Sequence, residues 1–96
     1  MAPGSPVIEQ YRQLLEVSTQ MLGLAREQQW EALVQCEAGY LVSLQRVKSL
    51  DHEQSLNGSE RQKKLDLLER ILEQDAETRR MLESRREELS LSLIHI

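Results

Sequence analysis

The chain has 96 residues, 40% of them hydrophobic and 29% charged, with 12 Lys and Arg against 16 Asp and Glu for a net charge of -4. A chain this short is one domain at most and buries only about two-thirds of the surface its unfolded form exposes; rich in Leu, Glu, Gln and Arg and lacking phenylalanine, it has the composition of helices with charged outer faces. Its acidic balance argues against nucleic acid, its single cysteine, Cys36, excludes an internal disulfide and a four-cysteine zinc site, and the lack of a signal-like start or an eighteen-residue apolar run points to a soluble cytosolic protein without membrane contact.

Residues 1–4 are expected to form a flexible lead. Ser5 then offers a cap oxygen and Pro6 suits a first helical turn. From there Ile8, Tyr11, Leu15, Ser18, Leu22 and Ala25 recur in steps of three and four, with Leu14 and Met21 widening the stripe, which predicts an amphipathic first helix. In phase, the next inward positions would be Gln29 and Ala32; instead the apolar series restarts at Trp30, Leu33 and Val34 and runs through Tyr40, Leu41, Leu44 and Val47. A slip of one residue rotates the apolar face by about 100°. We therefore expect a break at residues 26–29, with Trp30 packed over the junction.

A second helix is expected from about Gln29 to Leu50, with Gly39 an interior weak point that would permit close approach of a neighbouring backbone. The polar stretch DHEQSLNG, residues 51–58, ends in Asn57-Gly58, a turn signal because both residues tolerate positive φ. Ser59 and Gln62 match a capping box at the start of a third helix. That helix carries Leu65, Leu68, Leu72, Leu82 and Leu89 on one side, with Ile71 beside them and Asp75 and Arg79 interrupting the stripe. Drawn from Ser59 to Leu89 it would be about 45 Å long, longer than either neighbour, so part of it must project or meet something else.

No phosphate loop, nucleophile elbow or helical histidine pair is present, so neither an enzyme nor a cofactor is expected. His52 and His95 are expected to be solvated, and Cys36, beside Glu37 with no nearby Lys or Arg, to be an inert thiol. The mixed acids and bases of the third helix read as a solvated face, with Arg79, Arg80, Arg85 and Arg86 its best candidates for electrostatic contact with an acidic partner. Because the third helix outlasts its neighbours, some of its leucines lack an intramolecular cover. A groove for a partner helix follows. Its expected lining is Tyr40, Leu41, Leu44 and Val47 from the second helix and Leu65, Leu68 and Leu72 from the third.

The run LLEVSTQMLGLAREQQWEALVQCEAGYLVSLQRV, with the later MLESRREELS, resembles the flagellar export chaperone family FliT over most of residues 8–90. The resemblance rests on Trp30 followed by Glu31 and Leu33, and on the later group Glu37, Tyr40 and Leu41. It implies a cytosolic chaperone that holds the C-terminal segment of the flagellar filament-cap protein before type III export and docks with the export ATPase complex. In some relatives it also implies binding to the flagellar master transcription regulator.

On this reading residues 5–90 form a single all-α domain, an antiparallel bundle of three helices without the family's C-terminal fourth helix. The groove between the second and third helices would then stay open and favour self-association. Residues 91–96, LSLIHI, look like translated sequencing adaptor and are expected to be a non-native tail. The alternative is a coiled-coil oligomerisation or adaptor module whose long third helix pairs with itself.

Overall fold

The computed structural model describes residues 5–53 and 56–94. Three helices follow one another: α1 (Pro6–Arg26), α2 (Trp30–Glu53) and α3 (Gly58–Ile94). The expected N-terminal lead, the middle of the polar 51–58 stretch and His95 lie outside the described residues, as does the side chain of His52.

Pro6 opens α1 as expected, but Ser5 makes no side-chain capping bond; its backbone carbonyl accepts from the Glu9 amide at 3.0 Å. Every position of the expected stripe is buried, together with Val7. α1 stops where the phase slip falls. The Gln28 amide donates to the Ala25 carbonyl at 3.0 Å and the Gln29 amide to the Leu24 carbonyl at 2.8 Å, a Schellman ending. The reversal places Gln28 at φ 60°, where glycine is the usual residue. Gln29 then serves both helices, since its carbonyl accepts from the Leu33 amide at 3.0 Å and starts α2. Without glycine or proline, the turn is held by burial on either side: Met21, Ala25 and Leu33 form one core cluster, with Trp30 packed against it.

Three expectations for α2 and its exit are corrected. Val34 and Leu41 are not part of the inward face, being 61% and 53% exposed; Leu33 and Val47 are buried instead, with Tyr40 and Leu44 partly so. Gly39 lies on the exposed side with no atom within 4 Å of a Cβ built there, so no backbone approaches it. The capping box sits two residues earlier than Ser59 and Gln62. The Asn57 side-chain oxygen accepts from the Glu60 amide at 2.9 Å, and the Glu60 carboxylate accepts from the Asn57 amide at 3.1 Å. Asn57 thus caps a helix that begins at Gly58, and neither residue has positive φ.

The inward face of α3 also differs from the expected leucine row. Ile71 and Thr78 are fully buried, whereas Leu65, Leu72 and Leu89 are about half exposed or more. The helix continues past Leu89 to Ile94. Its first half packs with Val7, Tyr11, Leu14, Leu15 and Val47, and its second half meets the Met21, Ala25 and Leu33 cluster through Met81 and Leu82. Thr19 donates to Gln74 at 3.1 Å and Arg26 pairs with Glu77 at 3.0 Å, so α3 runs parallel to α1 and antiparallel to α2. From Arg86 to Leu93 all side chains are exposed. This is the expected projection, and it accounts for the 61 × 22 × 20 Å extents.

α1 packs along both α2 and α3, while among the described residues no Cα of α2 comes within 8 Å of α3. The three helices therefore occupy three corners of a four-helix square, with α1 at the shared corner. The fourth corner is a groove.

Candidate functional site

Met21 of α1 reaches the floor of this groove beside Thr78 of α3. One wall is Tyr40, Leu41 and Leu44 of α2, with Glu37 at its rim; the other is Leu72, Asp75, Arg79 and Leu82 of α3. Leu72 and Leu41 present their side chains because the backbone phase that buries Ile71 and Leu33 leaves these positions outside. Asp75 and Arg79 pair across one helical turn at 3.0 Å, the carboxylate only 15% exposed and the guanidinium 74%. Burial raises the Tyr40 phenol above its ordinary pKa, the nearby Asp75 carboxylate adds to that, and Arg79 opposes it. The phenol is thus held protonated at neutral pH, as a hydrogen-bond donor within an apolar wall.

Of the seven residues expected to line a groove, Tyr40, Leu41, Leu44 and Leu72 come together here. Val47 is 2% exposed and belongs to the core with Tyr11 and Ile71, because its helical phase points it at α1. Leu68 packs partly against the same core, and Leu65 is exposed one heptad before Leu72. Met21, Thr78 and Leu82 were missed as lining. Met21 belongs to the buried stripe of α1, so only the tertiary arrangement shows that it also faces the groove.

The four arginines do not form one patch. Arg79 and Arg86 border a hollow next to the groove with Glu37 and Glu83. Arg85 turns to the opposite side of α3, where its guanidinium carbon lies 5.8 Å from the Trp30 ring centroid and one nitrogen is 3.7 Å from Glu88. Arg80 is exposed. Cys36 is half-buried with its sulfur 3.9 Å from the Gln20 side-chain oxygen, and burial pushes its thiol up from the ordinary value. Among the described residues no group of three or more His, Cys, Asp or Glu could hold a metal ion, and no helix is long and apolar enough to cross a membrane.

These features define an open antiparallel three-helix bundle whose distinguishing surface is one apolar groove. The family description "Flagellar protein FliT" matches residues 8–95, and the chain belongs to the FliT family. It is 31% identical over 84 residues to the flagellar protein FliT of Photorhabdus laumondii, an alignment that takes in 88% of this chain and 67% of that protein. It is 30% identical over 80 residues to the Escherichia coli protein of the same name, taking in 83% of this chain and 66% of that one. The chain thus spans about two-thirds of the length of these relatives. The crystal structure of flagellar protein FliT from Bordetella bronchiseptica superposes with a TM-score of 0.81 at 30% identity, over 88% of this chain and 96% of that one.

Proposed function

We propose that the chain is a cytosolic, substrate-specific export chaperone of the flagellar type III pathway, without catalytic activity. It holds the apolar face of a helix from the C-terminal segment of the filament-cap protein and escorts it to the export ATPase complex. The observation that supports this most directly is the groove at the fourth corner of the bundle, where Leu41 and Leu72 are 53% and 57% exposed on facing walls. A partner helix laid there buries these apolar groups. Arg79 and Arg86 at the margin contribute to orientation and encounter rate more than to affinity. A contact with the flagellar master transcription regulator belongs to the same proposal.

Calorimetric titration with the C-terminal segment of the filament-cap protein from the same source tests it. Saturable binding with a negative heat-capacity change is expected, and Leu72→Asp should abolish it while leaving the far-ultraviolet dichroism unchanged. Absence of binding in the calorimeter and in an orthogonal assay overturns the proposal.

A second reading, self-pairing of α3, is favoured by Leu89, 49% exposed on the projecting end of the helix. Light scattering over a dilution series separates the two, because an obligate oligomer persists on dilution.

A further inference from the structure

The side of α2 turned away from α1 carries Glu31, Val34, Ala38, Val42 and Gln45 in steps of three and four, and every one of them is exposed. Val34 and Val42 are 61% and 52% exposed, on the helix face opposite the buried Leu33 and Val47. Midway between the two valines stands Ala38, and next to it Gly39, where a Cβ would meet nothing within 4 Å. Small side chains here let another helix approach at the short end of the usual interaxial range, about 8 Å. The charges on this side are ordered as well. Glu31 lies about two turns before Ala38 and Arg46 about two turns after it, and neither is paired among the described residues.

We propose that this face of α2 docks on the same face of a second copy of the chain, antiparallel, about a twofold axis passing beside Ala38. In that register Val34 of each copy falls level with Val42 of the other, Ala38 meets Ala38, and Glu31 lies beside Arg46. Every contact away from the axis occurs twice, as an isologous interface requires. A parallel pairing would set Glu31 against Glu31 and Arg46 against Arg46, so the charges select both the occupant and its direction. α1 packs on the opposite side of α2, and α3 has no Cα within 8 Å of α2 among the described residues, so the approach is unobstructed. The groove lies about a quarter turn round α2, at Glu37, Leu41 and Leu44, and stays open to a partner helix in the dimer. Docking of this kind does not depend on helix capture by the groove. A single pair of helices is a small interface, so the dimer is weak and reversible.

Sedimentation equilibrium of the full chain at rising concentration tests this. Reversible dimerisation is expected. Glu31→Arg and Arg46→Glu should each weaken it about tenfold, because each sets two like-charge contacts across the interface, and the double variant should restore it. On a Cys36→Ser background, Ala38→Cys should form a disulfide between copies under mild oxidation, since residues crossing at the axis come within the roughly 7 Å Cα limit, whereas Glu69→Cys on α3 should not. Far-ultraviolet dichroism equal to the parent's shows that the variants fold. A chain that stays monomeric at every concentration overturns the proposal. So does a dimer indifferent to both charge reversals, which its loss in Leu89→Asp would assign to α3 instead.

Discussion

The guanidinium of Arg85 stacks over the ring of Trp30, 5.8 Å from its centroid, and so ties α3 to the turn between α1 and α2. The arginine is 40% exposed, and a cation–π contact at such a site stabilises by about 0.5–1 kcal/mol. Arg85→Ala should lower the urea midpoint accordingly and shift the fluorescence of the chain's only tryptophan. An unchanged emission maximum would show that the ring does not sense the guanidinium.

Gln28 holds the left-handed position of the α1 ending at φ 60°. Glycine takes that conformation without the Cβ clash, so Gln28→Gly should stabilise the bundle by roughly 0.5–1 kcal/mol, a rise of several degrees in Tm for a domain of this size. Gln28→Val should do the opposite. A thermal melt in which the glycine variant unfolds earlier than the parent contradicts the strain argument.

Asn57 and Glu60 satisfy each other's amides at the start of α3. Asn57→Ala should cost about 1 kcal/mol, whereas Ser59→Ala should be close to neutral because Ser59 lies inside the first turn. Equal losses in chemical denaturation would return the cap to Ser59.

Core and groove leucines should separate cleanly. Leu33→Ala, at a residue with 0% exposure, should lose about 2–5 kcal/mol. Leu41→Asp should leave stability within about 0.5 kcal/mol of the parent, as for most surface changes, and affect only partner binding. A large drop in Tm for Leu41→Asp would place that residue in the core.

Burial raises the Cys36 pKa, so at pH 8 less of it is thiolate than for an exposed cysteine. Its reaction with a disulfide reagent should be slower in the folded chain, with the midpoint of the pH–rate profile displaced to alkaline pH, and urea should restore the ordinary rate. A folded-state rate equal to that in urea would remove the shielding.

Apolar spacing and local chemistry by themselves determined that the chain is helical, where α1 buries its face, that the chain turns just before Trp30, and that α3 outruns its neighbours. Periodicity of 3.6 is a one-dimensional record of which side meets the core, and along α1 a single stripe faces both neighbours. It failed at Val34, which is 61% exposed, and it did not separate core from groove: among the residues expected to line a groove, Leu41 and Leu72 do so while Val47 is buried in the core. What decided those positions was that α1 packs with α2 and α3 while α2 and α3 stand apart, which fixes which residues line the groove that the uncovered leucines of the third helix only implied. The same arrangement placed Val47 in the core and brought Met21 and Thr78 to the groove floor. An apolar residue records only that it leaves water; which helix covers it, or whether any does, is set by how three helices share one thin core.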